Sequence, residues 1–422
     1  MTDRIVLTAA RLITGGAEPP VDDASLVIEG ERIVYAGPAA GRPSRAGERC
    51  VELGGRTLLP GFIDAHVHFG LDAGLGRYHP LDTDPALLVH EAAARMSATL
   101  DAGVTTVRDL GGISAGHRAA VERGLVRGPR LQVAVRLMSH TGGHGDFHVR
   151  GGMFRLAGDE LAVLADSIDE VRRVTRELLR AGADLVKVAT SGGMGSPHDD
   201  PDDEGLRIDE VRAVVDELER HGGRPVAAHA QGVRGIHAAV LGGASSIEHG
   251  YGIDDAAIDM MGERGIFLVP TLATAFRPLD RERMPAFHYE KKSRWAEATM
   301  TNIARAIEQG VRIAMGTDSG VGPHGRNLEE LAHLVALGMS PMDAVIAATG
   351  GAARLLRLDG VTGRLEAGLS ADVVVSDVDP LARIRELGDP ARIAAVLQAG
   401  RVVKDPHRLF DPARAGTRKE AA

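Results

Sequence analysis

One pattern recurs from residue 60 to residue 320 and limits the folds that this chain can adopt. A helical segment ends in glycine, and a short apolar segment follows, as in "LDAGVTTVRDL", "LRAGADLVKVATS" and "IEQGVRIAMGTDS". Glycine is favoured in the left-handed conformation just past a helix end. The apolar segments are continuous rather than alternating, which is typical of parallel strands buried on both faces. The pattern therefore predicts parallel strands that alternate with helices.

The apolar segments number eight, and each leads to the next through a connection that contains a helix. They span residues 60–68, 104–110, 131–138, 185–191, 225–230, 245–250, 267–272 and 313–319. Helical periodicity covers 159–180 and 208–220, and further helices are expected over 327–338 and 341–356. Eight such units predict the α/β fold of a (β/α)8 TIM barrel. The alternative is a doubly wound open sheet, but no G-x-G-x-x-G follows the first strand.

The two flanks of this region contain short strands and turns instead. Neither flank is large enough to bury a core alone. We therefore predict a small β-sandwich domain built from residues 1–58 and 360–410, with the barrel at 59–359 inserted between them. Residues 411–422 are expected to form a frayed tail.

Composition excludes several classes of protein. The net charge of −9 argues against a nucleic-acid partner and against an anionic membrane surface. The chain has no long apolar run and no apparent secretory signal, so we expect a cytoplasmic protein. The single cysteine, Cys50, excludes a disulfide framework and a cysteine-rich zinc site.

Polar residues end several of the predicted strands, and such strand ends carry the chemistry of barrel enzymes. They are His66 and His68 on strand one, Lys187 on strand four, His229 on strand five, His249 on strand six and Asp318 on strand eight. Each residue has a structural alternative: a hydrogen-bonded histidine, a helix cap at Asp318 or an ion pair at Lys187. Their shared position at one rim favours a metal site instead.

Lys187 is informative because burying an ammonium group in an apolar strand is costly. Desolvation and a nearby cation both favour the neutral amine, a form that arginine cannot adopt in a protein. A neutral amine can add carbon dioxide and become a carbamate with two anionic oxygens. We therefore interpret Lys187 as a candidate for this modification.

The motifs "PGFIDAHVH", "LVKVATSGG", "AHA", "SIEHG" and "GTDS" resemble the amidohydrolase superfamily. Together with "TGGHGD" they are most similar to the branch of imidazolonepropionase-like, prolidase-like and ochratoxinase-like hydrolases. The resemblance implies a binuclear centre with a bridging, carbamylated Lys187. It assigns His66, His68 and Asp318 to one ion, and His229 and His249 to the other.

The implied chemistry is attack on a carbonyl by a hydroxide that bridges two divalent ions. Zinc suits the histidine and carboxylate-like donors best, although manganese and iron stay open. Asp318 is the candidate that takes a proton and passes it to the leaving group. His140 and His144 flank the turn "SHTGGHGD" and are candidates for stabilising the oxyanion, or for purely structural hydrogen bonds.

Candidates for substrate binding are fewer. Arg234 is suited to a substrate carboxylate, with an exposed helix arginine as the alternative. Gln231 stands where prolidase-like relatives often have tyrosine, which weakens the case for proline dipeptides. The acidic loop 191–205 can select cationic substrates or simply be solvated, and His198 lies within it.

These features predict a metal-dependent hydrolase of an amide bond in a dipeptide or an N-acyl amino acid. The alternative within enzymes is hydrolysis of cyclic amides, esters or lactones by the same centre. A non-catalytic barrel scaffold is a third possibility, and the full ligand set argues against it. The combined H-x-E and P-C-x-x-C signature of nucleic-acid deaminases is absent from this sequence, which argues against that activity. Relatives are commonly oligomeric, so a homo-oligomer is expected.

Overall fold

The protein is described by a computed structural model over residues 4–46, 48–72, 74–75, 79, 83–146, 161–282 and 284–411. In this part of the chain the strands are β1 Arg4–Leu12, β2 Val21–Glu29, β3 Arg32–Pro38, β4 Arg49–Glu52, β5 Thr57–Pro60, β6 Phe62–Val67, β7 Val104–Asp109, β8 Arg130–Val133, β9 Leu137–Ser139, β10 Ala162–Leu164, β11 Val186–Ala189, β12 Val226–Ala230, β13 Ser246–His249, β14 Phe267–Val269, β15 Arg312–Ile313, β16 Val373–Ser376, β17 Ile393–Gln398 and β18 Arg401–Lys404.

The helices alternate with the strands through the middle of the chain. They are α1 Pro85–Asp101, α2 Ala115–Glu122, α3 Ile168–Arg180, α4 Ile208–Glu219, α5 Val233–Gly242, α6 Asp255–Arg264, α7 Leu272–Ala275, α8 Ala286–Glu308, α9 Glu329–Ala336, α10 Pro341–Ala347, α11 Gly350–Leu355 and α12 Pro380–Leu387. None of the helices in the described residues is long and apolar enough to cross a membrane.

Strands from the two ends of the chain pair with one another in one sheet. Its order is β18-β17-β16-β5-β1-β2-β3, and β4 pairs in parallel with β1. The ladders thus form one eight-stranded sheet rather than the two sheets of the predicted sandwich. Register shifts occur in the pairing of β1 with β2 near Ala9 and Asp23, which both have positive φ. Such bulges bend and twist a sheet, so one sheet can enclose its own apolar cluster.

The proposed boundaries of this terminal domain, 1–58 and 360–410, stay a prediction. The pairing of β5 with β1 and β16 is what a domain shared between the termini requires. Of the predicted tail 411–422, residues 412–422 lie outside the described residues.

Parallel strands overlap all eight predicted positions, the eighth only at Ile313, since β15 is Arg312–Ile313 rather than 313–319. Their ladders form two sheets rather than one closed barrel. One sheet has the order β6-β7-β8, and the other has the order β10-β9-β11-β12-β13-β14-β15. Backbone hydrogen bonds connect the first strand to the segment after β15. Ala65 N donates to Met315 O at 2.9 Å, and Asp318 N donates to His66 O at 2.8 Å. These bonds place the first and eighth strand ends side by side.

The predicted third strand, 131–138, is interrupted. Val135 adopts a positive φ of 67°, an unfavourable conformation for a β-branched residue, and it separates β8 from β9. The first piece pairs with β7, whereas the second pairs with β11 and β10. The interruption explains why the ladder changes sheets at this point.

Two helix predictions are corrected as well. The predicted helix 159–180 begins only at Ile168, because Ser167 caps it and residues Ala162–Leu164 form β10. Residues 159–160 lie outside the described part. The predicted helix 341–356 is divided into α10 and α11 by Thr349, whose φ of −134° and ψ of −101° are not helical.

Asp372 connects the terminal sheet to the parallel strands. Its carboxylate is fully buried and accepts hydrogen bonds from Arg130 Nη1 at 2.8 Å and from Thr362 Oγ1 at 2.7 Å. Ser370 Oγ and the Ala399 backbone N–H also donate to it. Arg130 belongs to β8, so this one carboxylate joins both parts of the fold.

Replacing Asp372 by Ala should lower the free energy of unfolding by about 3–5 kcal/mol, because it leaves Arg130 and three other donors without their acceptor. Urea unfolding followed by circular dichroism measures the change. Glu52→Ala, at the exposed end of β4, is the control and should shift stability by less than about 0.5 kcal/mol. A loss for Asp372→Ala below about 1 kcal/mol would contradict this role.

Candidate active site

The predicted metal-binding side chains converge at the carboxyl ends of the parallel strands. The ring centres of His66 and His68 are 5.3 Å apart, and those of His66 and His249 are 5.1 Å apart. His229 lies 4.6 Å from His249 by the same measure. Ligand atoms of His66, His249 and Asp318 all lie within 4.8 Å of one another. Residues that are up to 252 positions apart in sequence (318 minus 66) thus share one buried cluster.

Asp318 faces the first strand. Its Oδ1 lies 3.5 Å from His66 Nε2 and 3.4 Å from His68 Nε2. Asp318 has a φ of 56° and His249 a φ of 71°, both in the left-handed region. Non-glycine residues adopt this region at a cost and cluster at functional sites when they do. Burial raises the pKa of Asp318 to about 7, although the nearby Lys187 charge opposes the shift.

Hydrogen bonds fix the orientation of three of the imidazole rings. In each of His66, His68 and His249, the Nδ1 atom has an oxygen partner at 2.8 Å. The partners are Glu248 Oε2 for His66, the Gly111 carbonyl for His68 and Thr271 Oγ1 for His249. Because a carboxylate and a carbonyl only accept, His66 and His68 donate from Nδ1 and keep a lone pair on Nε2.

His229 is oriented the other way round. Its Nε2 lies 3.1 Å from the Gly192 carbonyl oxygen, so Nε2 donates and Nδ1 keeps the lone pair. Desolvation holds the pKa values of His66, His229 and His249 well below the usual range, and neighbouring cationic groups add to the effect. The rings are therefore neutral at pH 7, which is the form that binds a metal.

Lys187 lies in the same buried region. Its side chain is 2% exposed, and Nζ has no hydrogen-bond partner among the described residues. Burial lowers the pKa of Lys187 to about 7; the Arg108 charge acts in the same direction, while Glu248 and Asp318 act against it. Unpartnered buried donors are rare in folded proteins. The expected structural alternative, an ion pair at Lys187, is not formed within the described residues.

A buried ion pair behind His66 was not identified from sequence. Arg108 Nη2 lies 2.7 Å from Glu248 Oε1, and the two side chains are at most 1% exposed. Arg108 also donates to Ala65 O at 2.6 Å and to Ser246 Oγ at 3.1 Å. Glu248 therefore has one oxygen on Arg108 and the other on His66. The only sequence signal was a charged residue within each of two apolar strands, in "TTVRDL" and "SIEHG".

Asp109 holds the segment that carries His68. Its carboxylate accepts from Phe69 N at 2.8 Å and from Gly111 N at 3.0 Å. Gly111 is also the residue whose carbonyl oxygen binds His68 Nδ1. Burial raises the pKa of Asp109 to about 8, and the two backbone hydrogen bonds moderate the shift.

Of the two histidines in the turn 139–146, only His144 reaches the cluster. Its ring stacks on His229 with centres 4.0 Å apart, and its Nδ1 lies 3.3 Å from Asp199 Oδ2. His140 instead directs Nδ1 at Thr141 O at 2.7 Å and Nε2 at Glu204 O at 3.2 Å. His140 thus has the hydrogen bonds of the structural alternative, and its catalytic role stays a prediction.

The predicted substrate-binding residues are not gathered in the same way. Gln231 is buried beside His229, and its Oε1 has no hydrogen-bond partner among the described residues. Arg234 is exposed on α5 and bonds to Glu204 Oε1 and Asp202 O, each at 2.8 Å. His198 is exposed on the loop. The structure therefore leaves Gln231 as the substrate candidate next to the cluster.

Basic side chains neutralise much of the acidic loop 191–205. Arg294 of α8 pairs with Asp200, and Arg234 of α5 pairs with Glu204. Lys291 of α8 lies 3.8 Å from Asp199 Oδ1. These pairs favour a structural function for the loop acids over selection of cationic substrates.

A separate cavity of about 920 Å³ lies at the opposite, amino-terminal ends of the last two strands. It is lined by residues such as Phe267, Arg312 and Met339, and by none of the predicted site residues. The cavity lies at the amino-terminal ends of the strands, whereas the active sites of barrel enzymes lie at the carboxyl ends. We therefore do not assign it to the active site.

Comparison with known proteins agrees with this geometry. The model of the amidohydrolase family matches residues 57–403, and the chain therefore belongs to this family. It is a hydrolase that acts on carbon–nitrogen bonds. The resemblance inferred from the sequence motifs is confirmed.

The chain is similar to proteins of several named activities. It is 32% identical to the ochratoxinase of Aspergillus niger over 95% of this chain and 87% of the relative. The crystal structure of that enzyme matches with a TM-score of 0.85 over 96% of both chains, at 30% identity. A Xaa-Pro dipeptidase with methionine in its active site matches with a TM-score of 0.87, at 29% identity over 94% of this chain and 99% of that one. The imidazolonepropionase of Streptomyces coelicolor is 29% identical over 85% and 86% of the two chains.

Replacing Gly193 by Ala should reduce hydrolytic activity roughly tenfold to a hundredfold, because small misplacements near a reacting centre have effects of that size. A Cβ at Gly193 would lie 2.3 Å from His144 Nδ1 and must displace the ring. Gly195→Ala is the matched control in the same loop, since a Cβ there meets open space. Steady-state rates at equal metal content compare the two variants. Equal activity in both would show that the position of His144 is unimportant.

Proposed function

We propose that this chain is a binuclear metal-dependent hydrolase that cleaves the amide bond of a small substrate, a dipeptide or an N-acyl amino acid. The observation that carries the proposal is the buried cluster of four neutral imidazoles, one carboxyl group and one amine that has no hydrogen-bond partner among the described residues. These side chains are His66, His68, His229, His249, Asp318 and Lys187. A stability role does not explain the Lys187 amine, because a buried polar group without a partner destabilises a fold.

We also infer that the two parallel sheets belong to one (β/α)8 barrel. The bonds from Ala65 to Met315 and from Asp318 to His66 support closure on one side. On the other side, Asp184 N donates to Val133 O at 2.8 Å, which connects β8 to the segment before β11. The similarity to solved amidohydrolase structures over nearly the whole chain supports the same arrangement.

The residues present fit two divalent ions. His66 Nε2, His68 Nε2 and Asp318 would hold one ion, and His229 Nδ1 and His249 would hold the other. The lone pairs of His66, His68 and His229 are left on these atoms by the hydrogen bonds described above. Imidazole nitrogen with carboxylate oxygen suits zinc, and a second set of hydrogen bonds behind the ligands is typical of zinc sites.

Lys187 would complete the pair of sites as a bridging carbamate. In its neutral form the Nζ lone pair adds to the carbon of carbon dioxide, and the nitrogen releases one proton. A pKa of about 7 makes the neutral amine available near neutral pH. The product carries an anion in place of a cation, which removes the cost of an unpaired buried ammonium next to two metal ions.

The chain's own residues then have distinct roles. Divalent ions bound at this cluster would lower the pKa of a water molecule and polarise the substrate carbonyl. Asp318 Oδ1 would accept the proton of the attacking water and return it to the nitrogen of the leaving amine. His144 lies against the cluster on the loop side and would contact the developing oxyanion, whereas His140 would act only if its loop rearranged.

The substrate class rests on the names of relatives together with the site. Ochratoxinase and a Xaa-Pro dipeptidase are among the similar proteins, which supports hydrolysis of an amide or peptide bond. Gln231 Oε1 is an acceptor available to a substrate N–H. Arg234 and His198 stay weaker candidates because both are exposed. The similarity to an imidazolonepropionase is the observation that supports the alternative of a cyclic amide.

An assay panel tests the proposal. Dipeptides and N-acyl amino acids should be hydrolysed by the zinc-loaded enzyme faster than hydantoin-like rings, simple esters and lactones, an order that the similarity to ochratoxinase and to a Xaa-Pro dipeptidase supports. Removal of metal with a chelator should abolish the activity, and zinc should restore it. Turnover that survives complete metal removal would contradict the mechanism. Preference for the ring substrates would select the alternative.

Replacing Lys187 by Ala should lower kcat by about a hundredfold or more, because it removes the bridging group. Short carboxylic acids such as propionate should restore part of the rate by occupying the space of the carbamate. Lys404→Ala is the control: this half-buried lysine belongs to β18, away from the cluster, and donates to the backbone carbonyls of Asp101 and Pro390. Full activity of Lys187→Ala would exclude a bridging role.

A further inference from the structure

A buried carboxylate connects His144 to a distant helix. Asp199 is 6% exposed, and its Oδ2 accepts from His144 Nδ1 at 3.3 Å and from Gly193 N at 2.9 Å. Its Oδ1 has no hydrogen-bond partner among the described residues and lies 3.8 Å from Lys291 Nζ. Burial by itself would raise the pKa of Asp199, but His144, the Ser196 side chain and the Lys291 charge together hold it below its usual value. Asp199 is therefore an anion that accepts from the histidine.

Lys291 fastens the segment that contains Asp199. Its Nζ donates to the backbone carbonyls of Gly193 at 3.1 Å, of Ser196 at 2.7 Å and of Asp199. An ammonium group has three N–H bonds, so these carbonyls use all of them. The planar guanidinium of arginine cannot place three donors on one converging set of oxygens. Lysine is rare in this chain, with five among 49 basic residues, and one of the five occupies this position, where three converging donors are needed.

The same segment contacts the ligand cluster directly. Gly192 O binds His229 Nε2 at 3.1 Å, and Gly193 lies against the His144 ring. His144 itself stacks on His229. A shift of the segment 192–199 would therefore move both rings together.

The direction of Nε2 follows from the bond on Nδ1. The two nitrogens lie on opposite edges of an imidazole ring, so a carboxylate bound to Nδ1 turns Nε2 away from itself. A carboxylate behind a histidine is the arrangement that holds catalytic histidines in one orientation in other enzymes. Here that carboxylate is itself held by a lysine from another helix.

We propose that Asp199 and Lys291 are positioning residues for His144, and that they hold its Nε2 against the substrate in the hydrolytic reaction. This inference rests on the proposed function. Lys291 compensates the charge of Asp199 and fixes the turn, Asp199 fixes the ring, and only His144 touches the substrate. The arrangement gives α8 a function in the active site that its sequence does not reveal.

A double-mutant cycle on the full-length, zinc-loaded protein tests the proposal. Asp199→Asn and Lys291→Met should each lower kcat roughly tenfold or more with KM close to wild type, and unchanged bound zinc checks that the Gly192 bond to His229 is kept. On a His144→Ala background the same two substitutions should have no further effect on kcat, because residues that act through one another are not additive. Lys291→Arg, which keeps the charge but not the three converging bonds, should be intermediate.

Lys404→Met is the matched control for loss of a carbonyl-bound ammonium, and it should retain wild-type kcat. Equal losses of kcat in the presence and absence of His144 would overturn the inference, and so would full activity of His144→Ala. In either case the metal dependence and the substrate panel would still support the proposed function. Failure of the wild-type enzyme on every panel substrate would instead contradict the proposed function, and this inference with it.

Discussion

The site depends on one geometric constraint: parallel strands that are packed side by side end at the same edge. This constraint brings His66, His229, His249 and Asp318 together although helices separate them in sequence. Hydrogen bonds then fix the orientation of the side chains that the strands bring together. Glu248 holds the ring of His66, and Arg108 holds Glu248, so the orientation of His66 depends on charges buried among the strands. Removing either charge would leave the other unpaired in a dry interior, which is strongly destabilising.

Burial governs the electrostatics of the cluster. It raises the pKa of Asp318 to about 7 and lowers the pKa of Lys187 to the same region. A carboxyl group and an amine that approach the same pKa from opposite sides are both available in two protonation states near neutrality. Such perturbed groups cluster at functional sites. The hydrolase chemistry of the family therefore has a physical basis in this chain.

The sequence predicted the parallel strands and the clustering of polar side chains at their ends, because both leave local signals: continuous apolar segments, and polar residues that end them. It did not predict that Val135 breaks the third strand, since positive φ at a β-branched residue has no local signature. It also missed the Arg108–Glu248 pair and the Asp199–Lys291 contact. The first pair is 140 residues apart and is set by the register between strands, and the second is 92 residues apart and is set by helix packing. Neither the register nor the packing can be read from local sequence patterns. Arg234, by contrast, was expected near the substrate, but it is exposed and forms an ion pair with Glu204.

The central claim is that the six strand-end groups bind two divalent ions around Lys187. Crystals of the zinc-loaded protein, with data collected on both sides of the zinc absorption edge, test it directly. We expect two anomalous peaks, one bounded by His66, His68 and Asp318 and the other by His229 and His249, with electron density for a carbamate on Lys187 Nζ. Zinc peaks elsewhere only, or none among these side chains, would contradict the account.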